Sequence, residues 1–267
     1  MLKKLCGFIF SAFFNFMITT ILIYSFVSIS YLYAAESGTG FKLKKIQWPF
    51  EGIFGKFDRQ SAQRGFQVYK EVCSGCHSLK HVSYRNLKSL GFAEGEVKQI
   101  ASEYTVKDGP NDEGEMFERP AILADQFVSP YPNEQAARFL NNGAYPVDLS
   151  LIVKARHNGA NYLYSLLTGY TEKPRDFHLG EGLYYNKYFP GHQIAMPPPL
   201  MDNQVEYMDG TRASVEQMAR DVVVFLQWAS EPEMEHRKSL GLKSVIFLTI
   251  FSILFWLAKI RVWSRVK

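Results

Sequence analysis

The chain has 267 residues, 47% hydrophobic and 15% aromatic, which is enough for one or two domains with a sizeable core. Its net charge of +4 comes from the two ends, because residues 1–35 and 239–267 hold seven basic side chains and no acidic one. Residues 36–238 keep 23 basic and 26 acidic side chains, a net charge of −3, which argues against a nucleic-acid partner and permits a cationic protein partner.

Residues 1–35 predict an export signal, because two lysines precede an uncharged run from Leu5 to Ala35. Ala34-Ala35 offers a small-residue cleavage point, and we expect the signal to be cleaved there. A retained N-terminal anchor is the alternative, since the run is long enough to span a bilayer. Cys6 lies in this leader and would be lost with it.

The first predicted helix begins after Asp58, which suits an N-cap, and leads straight into Cys73. Gly65 lies on its apolar side, where it could let another helix come close. The apolar side chains recur every three to four residues, at Ala62, Phe66, Tyr69 and Val72.

The segment Cys73-Ser74-Gly75-Cys76-His77 has the attachment pattern of a c-type haem. Each thiol can add to one haem vinyl group, and the histidine that follows can place an imidazole nitrogen on the iron. A redox dithiol would need a βαβ unit around the motif, which the sequence does not indicate. A structural zinc site would need four ligands, and the only other cysteine is in the leader. The pattern therefore favours covalent haem.

Residues 91–132 carry few periodic signals and many helix breakers. Their acidic cluster has two interpretations, a solvated loop or a surface that steers a basic partner. Two short helices are predicted next, from Asn133 to about Gly143 and from about Asn161 to Gly169, and residues 171–213 again lack a regular period. The cluster consists of Asp108, Asp112, Glu113, Glu115 and Glu118.

Ser214-Val215-Glu216-Gln217 reads as a capping box that starts another helix, which ends before Pro232. An uncharged apolar run from Ser244 to Ala258 then predicts one transmembrane anchor. Basic residues in 261–267 predict a cytoplasmic C-terminus by the positive-inside rule, which places the body on the other side. The apolar face of the capped helix comprises Val215, Met218, Val222, Phe225, Leu226 and Ala229.

The sixth iron ligand decides between electron transfer and an open, reactive site. Met196 stands out because Pro197-Pro198-Pro199 holds the chain after it extended, which gives its thioether a fixed approach. His157 and His192 remain open as alternatives, and a Met/His pair would give a high-potential centre for one-electron transfer. The other candidates in the body are Met116, Met201, Met208, Met218, Met234, His81, His178 and His236.

With these motifs together, the sequence resembles the cytochrome c1 family, the haem subunits of the ubiquinol–cytochrome c oxidoreductase (cytochrome bc1) complex. The short cytoplasmic tail and the leader resemble bacterial members. The resemblance rests on the haem motif with Tyr84-Arg85-Asn86-Leu87, and on Trp48–Gly55, Gln63–Tyr69, Pro130–Asn133, Pro146–Ser150, Ser165–Tyr170, Tyr188–Gly191 and Ala195–Leu200.

The resemblance implies that Met196 is the axial methionine and that Arg119 neutralises a haem propionate. The residues around Arg119 differ from the usual family pattern, and an ordinary surface ion pair is the alternative for it. His157, followed here by Asn158, is expected to be structural. The family's electron donor is a Rieske iron–sulfur protein and its acceptor a soluble cytochrome c, and the complex also contains cytochrome b. Enzymatic activity belongs to that complex, so no catalytic residue is assigned to this chain.

The predicted fold is mainly α, a cytochrome c-type haem domain with long irregular insertions plus one C-terminal transmembrane helix. The predicted organisation is an export signal (1–35), a periplasmic haem domain (36–238), a transmembrane anchor (239–260) and a cytoplasmic basic tail (261–267). The expected cofactor is one covalent haem c per chain, held by Cys73, Cys76, His77 and Met196. Two other functions remain open, an independent membrane-tethered electron carrier and a haem enzyme or sensor with an open iron site.

Overall fold

The structure, a computed structural model, describes residues 42–265, so the predicted export signal lies outside the described residues. The described chain is mainly helical, which confirms the predicted fold class. Its strands form two antiparallel pairs, β1 (Thr105–Asp108) with β2 (Phe117–Pro120) and β3 (Tyr184–Tyr185) with β4 (Gln193–Ile194). Its α-helices are α1 (Arg59–Val68), α2 (Glu94–Ser102), α3 (Glu134–Leu140), α4 (Gly159–Leu167), α5 (Val215–Ser230) and α6 (Met234–Trp263).

Three helices begin at the N-caps that the sequence indicates. Asp58 accepts a hydrogen bond from the backbone N–H of Gln60 at the start of α1 (3.1 Å). Ser214 accepts one at the start of α5, and Asn133 one at the start of α3 (3.2 and 2.8 Å). Each side chain satisfies a backbone donor that the first helical turn leaves unpaired, and this fixes where the helix starts.

The centre of the fold is the crossing of α1 and α5. A Cβ on Gly65 would lie 2.0 Å from the backbone oxygen of Asp221 and 2.8 Å from Cβ of Phe225. No larger residue fits at this distance, so Gly65 permits the close helix approach that its position predicts. Helix α5 is buried well beyond the single apolar face expected for it, because α4 also packs against it.

Residues 84–132 contain more regular structure than the sequence indicates. A 3₁₀ helix spans Tyr84–Leu90, α2 follows it, and β1 and β2 form a hairpin. Helix α2 starts where Glu96 accepts a hydrogen bond from the backbone N–H of Ala93 (2.7 Å). Its hydrophobic signal is weak because only two of its nine residues, Val97 and Ala101, are buried.

Helix α6 is the only one of the described helices long and apolar enough to cross a membrane. It has 30 residues, so it begins before and ends after the anchor predicted at 239–260, and it measures about 45 Å at 1.5 Å per residue. Met234 in its first turn is buried in the hydrophobic core, whereas the apolar side chains from Leu240 to Trp263 are exposed. A helix with this exposure fits a single-pass membrane anchor.

Candidate haem-binding site

The Cys73–His77 motif follows α1 through one wide helical turn, Tyr69–Cys73. The backbone N–H groups of Cys76 and His77 both donate to the carbonyl oxygen of Cys73, at 3.1 and 2.9 Å. These bonds curl the motif into a compact turn at the end of a rigid helix. Both cysteines are free thiols, with Cys73 half-buried and Cys76 exposed.

The imidazole of His77 is oriented by a single backbone carbonyl. Its Nδ1 lies 2.7 Å from the carbonyl oxygen of Val147, and because a carbonyl can only accept, Nδ1 carries the hydrogen and donates. Burial lowers the pKa of His77, which keeps the ring neutral near pH 7. A neutral ring with Nδ1 protonated offers the lone pair of Nε2, which is what an iron ligand requires.

The segment that contains Val147 is bound tightly to the residues after the motif. Asp148 accepts hydrogen bonds from Ser78 Oγ (2.8 Å) and from the backbone N–H of Lys80 (2.9 Å). These bonds lower the pKa of Asp148 despite its partial burial, so the carboxylate stays ionised. These contacts fix the position of the Val147 carbonyl, which in turn orients the His77 ring.

Tyr69 supports the motif from the core side. Its hydroxyl donates to the carbonyl oxygen of His77 (3.2 Å), and burial raises the pKa of Tyr69, which keeps the hydroxyl protonated as a donor. Its ring packs against Phe127 and Phe225. The sequence alone gave no role to Tyr69, and the structure shows it joining the motif to the core.

A pocket of about 220 Å³ opens beside Cys76. Its walls come from the residues around the motif and from two other chain segments, 129–134 and 145–146. The proline-rich segment 130–132 and Tyr145 give it rigid and partly apolar walls, and neither His77 nor Met196 is among its lining residues.

Met196 follows β4 and lies half-buried against the hydrophobic core, which Cys73 also contacts. Its position is set from both sides, because Ile194 before it and Leu200 after it are buried. The hydroxyl of Tyr170 donates to the Met196 carbonyl oxygen (3.1 Å). The thioether therefore extends from a backbone segment that is held at three points.

The other candidate ligands occupy different surroundings. Met218 is fully buried in α5, as its place on the apolar face predicts, and Met234 is buried at the start of α6. The Nδ1 atom of His192 lies 3.3 Å from the carbonyl oxygen of Asn186. The remaining candidates are exposed or sit in surface loops: Met116, Met201, Met208, His81, His157, His178 and His236.

Arg119, on β2, is paired with two carboxylates. Its guanidinium binds Asp125 through two hydrogen bonds (2.6 and 3.1 Å) and binds Asp108 through Nε, and it donates a further bond to the Pro120 carbonyl. These partners raise the pKa of Arg119 and lower those of both carboxylates. A guanidinium has five N–H donors, so at most one is left for a propionate while these four bonds persist.

The donor set fits a covalent c-type haem. It comprises two free thiols on one turn, a neutral imidazole whose Nδ1 is already hydrogen-bonded, and a thioether on a bend whose backbone is bound by Tyr170. Within residues 42–265 no group of three or more His, Cys, Asp or Glu side chains is arranged to hold a bare metal ion.

Val147 and Asp148, like Tyr69 and Tyr170, have a role at the site that was not predicted from the sequence. Val147 and Asp148 lie in the Pro146–Ser150 segment that carries part of the family resemblance, but their role depends on contacts about 70 positions apart along the chain. No local pattern encodes such a contact.

Comparison with known proteins gives consistent matches. The model of the Cytochrome C1 family matches residues 48–266. The chain is 54% identical over 217 residues to "Cytochrome c1-2, heme protein, mitochondrial" of Solanum tuberosum, covering 81% of this chain and 84% of that protein. It is 48% identical over 244 residues to "Cytochrome c1" of Rhodospirillum rubrum, covering 85% and 90%. It is also 49% identical over 240 residues to "Cytochrome b/c1" of Bradyrhizobium diazoefficiens, covering 82% of this chain and 35% of that protein.

Proposed function

The chain belongs to the cytochrome c1 family, the haem-bearing electron-transfer subunits of the cytochrome bc1 complex. From this premise we propose which residues hold the haem and which proteins donate and accept its electron. The family carries covalent haem c. We assign thioether attachment to Cys73 and Cys76 and axial ligation to His77 and Met196. The observation that carries this assignment is the hydrogen bond from His77 Nδ1 to the Val147 carbonyl, which leaves Nε2 as the ligand atom.

When bound, the haem supplies a one-electron ferric/ferrous couple. The chain's own residues set the conditions for this couple. Val147 and Asp148 hold His77 in one tautomer and orientation, and Tyr170 with Ile194 and Leu200 hold the segment of Met196. With both axial positions provided by the chain, the site is built for electron relay and leaves no coordination position for a substrate.

We propose that the chain takes its electron from a Rieske iron–sulfur protein, delivers it to a soluble cytochrome c and assembles with cytochrome b. The Bradyrhizobium relative supports the last partner, because its name joins cytochrome b and c1 and it is much longer than the region matched here. The relatives include bacterial and mitochondrial proteins. We place this chain in a bacterial inner membrane, with the haem domain on the periplasmic side and the C-terminus cytoplasmic, because Arg261 and Arg265 follow the apolar part of α6.

We propose that Arg119 binds a haem propionate while it remains bound to Asp108 and Asp125. Its guanidinium is oriented by Asp125 and Asp108, and one remaining N–H can reach a third anion. The alternative is that Arg119 forms only ion pairs, which connect the β1–β2 hairpin to the loop at Asp125.

Purification in mild detergent tests the assignment to a complex. We expect b-type haem to copurify with the covalent haem of this chain, and the preparation to reduce added cytochrome c with a quinol as donor. Reduced-minus-oxidised spectra and a quinol–cytochrome c assay measure both. A haem protein that purifies alone, without b-type haem, would support the independent membrane-tethered carrier. Rapid carbon monoxide binding by the native ferrous protein would instead support an open iron site.

The hairpin of β1, β2 and the loop between them carries the acidic cluster. Asn111 accepts hydrogen bonds from the backbone N–H groups of Glu113 and Glu115 (3.0 and 2.8 Å), which orders the loop while their side chains stay exposed. Asp108 differs from the others because Arg119 neutralises it. The steering surface is therefore limited to the four remaining exposed acids, Asp112, Glu113, Glu115 and Glu118.

Replacing Asp112, Glu113 and Glu115 with Asn or Gln should slow cytochrome c reduction several-fold at low ionic strength and leave it nearly unchanged at high salt. Surface steering is screened over about 10 Å at 0.1 M salt, so its loss shows only where screening is weak. Stopped-flow rates measured across a salt series check this. Replacing the exposed acids Glu172, Asp176 and Glu181 is the matched control, because it removes the same number of charges elsewhere on the surface. If the loop variant keeps the native rate and salt dependence, the loop acids are only solvated.

A further inference from the structure

The loop that precedes α1 ends in an apolar tip, Ile53 and Phe54. These side chains are 69% and 79% exposed, whereas Phe50 and Phe57 on either side of them are buried in the core. Two adjacent large apolar residues in water make no contribution to the stability of the isolated domain. Their exposure points to a partner outside the chain.

The backbone holds the tip in one conformation. Gly52, on one side of it, has a φ of 73°, which favours glycine. A Cβ on Gly55, on the other side, would lie 2.1 Å from the carbonyl oxygen of Glu51, so the turn closes only with glycine there. The backbone N–H of Lys56 also donates to the Pro49 carbonyl (2.9 Å). The loop is built to present the tip.

The loop is bound directly to the start of α6. The ammonium of Lys238 donates to the carbonyl oxygens of Phe50 (2.7 Å), Gly52 (2.7 Å) and Gly55 (3.4 Å). Helical side chains lean toward the N-terminus of their helix, so the loop lies beside the first turns of α6.

A second connection lies next to the first. Glu235, in the first turn of α6, accepts two hydrogen bonds from the guanidinium of Arg59 (2.9 and 2.7 Å) and one from the backbone N–H of Phe57 (2.7 Å). Together with the buried Met234, these contacts fix the loop and the helix to each other. The tip therefore keeps a set position relative to α6.

This position is close to the membrane-crossing part of the helix. Lys238 precedes the uncharged run that begins at Ser244 by six residues, a rise of about 9 Å, and Leu240 and Leu242 between them are exposed. Interfacial apolar side chains insert about 5–10 Å into the boundary between headgroups and acyl chains. Lys56 and Lys243 are exposed on this part of the chain, and the exposed Glu51 offsets one of the two positive charges.

We propose that the apolar tip, Ile53 and Phe54, inserts into the lipid headgroup region beside α6 and so forms a second membrane contact that sets the tilt of the haem domain on the bilayer. The inference rests on the proposed role of α6 as the membrane anchor. The occupant is lipid, because the loop that carries the tip is bound to α6 just before the exposed apolar surface of that helix begins.

Photocrosslinking tests this contact in the assembled complex reconstituted in vesicles that contain an anionic phospholipid. The photoreactive amino acid p-benzoylphenylalanine replaces Phe54, and in matched chains it replaces Phe251 within α6 or Phe139 on α3. All three are phenylalanines that are 46–86% exposed, so the probe disturbs them similarly. Mass spectrometry of the illuminated chains identifies lipid and protein adducts at each position.

We expect lipid adducts at position 54 in a yield comparable to that at position 251, and no lipid adducts at position 139. If position 251 reacts with lipid and position 54 does not, the proposed insertion of the tip is wrong, while α6 is still a membrane anchor. A protein adduct at position 54 assigns the tip to a neighbouring subunit and also overturns the proposal. If position 251 gives no lipid adduct, the anchor itself is wrong.

Discussion

Replacing Met196 with Leu should lower the midpoint potential of the haem by about 100 mV or more and leave covalent attachment intact. A neutral thioether stabilises ferrous iron, and a leucine side chain has no ligand atom to replace it. The two side chains have similar volumes, so the fold should lose less than about 1.5 kcal/mol. A spectroscopic redox titration of the purified variant measures the shift, and carbon monoxide binding should become fast because one axial position opens.

Met201 provides the matched control for this experiment. It follows the same proline-rich segment but is 64% exposed, so Met201→Leu should keep the native potential and the native resistance to carbon monoxide. A Met196→Leu protein with an unchanged potential would remove Met196 as the axial ligand. The same titration applied to His192→Ala would then test the next candidate.

Replacing Gly65 with Ala should destabilise the haem domain by about 3 kcal/mol, because overpacking of a tight core costs roughly 1–3 kcal/mol or more. The added Cβ would lie 2.0 Å from the backbone oxygen of Asp221, and a backbone atom cannot rotate away as a side chain can. Helices α1 and α5 would have to separate. For a domain of this size we expect a drop of roughly 10 °C in the melting temperature, followed by circular dichroism.

Gly95→Ala is the opposite case on the same chain. Gly95 lies exposed in α2 with nothing within 4 Å of an added Cβ, so the change should stabilise the protein by about 0.5–1 kcal/mol. Equal melting temperatures for the two variants would show that the α1–α5 crossing relaxes without cost.

The crossing of α1 and α5 matters for function because α1 positions the haem motif. Arg64 on α1 binds the fully buried carboxylate of Asp221 on α5 through two hydrogen bonds (2.9 and 3.2 Å) and binds the exposed Asp209 at 2.7 Å. Both acids raise the pKa of Arg64, so the buried carboxylate always faces a cation. The ion pair and the glycine contact fix the helix along its length, and Cys73 follows at its end.

The sequence by itself determined the features that depend on local spacing. The two cysteines and the histidine at fixed intervals predict haem attachment, Asp58 and Ser214 predict two helix starts, and the uncharged run in α6 predicts the anchor. These signals are readable because each involves residues a few positions apart. Helix α2 was missed for the same reason, since its buried residues are too few to create a period.

Only the tertiary structure decided how distant segments complete the site. His77 receives its orientation from a carbonyl 70 positions away, and Lys238 binds the carbonyl of Phe50 across 188 positions. Gly65 predicts that another helix approaches α1 closely, but the sequence does not show that the approaching atoms are the backbone of Asp221. Backbone carbonyls are present at every residue and leave no mark in the sequence, so which of them meets a given side chain is settled only when the helices pack.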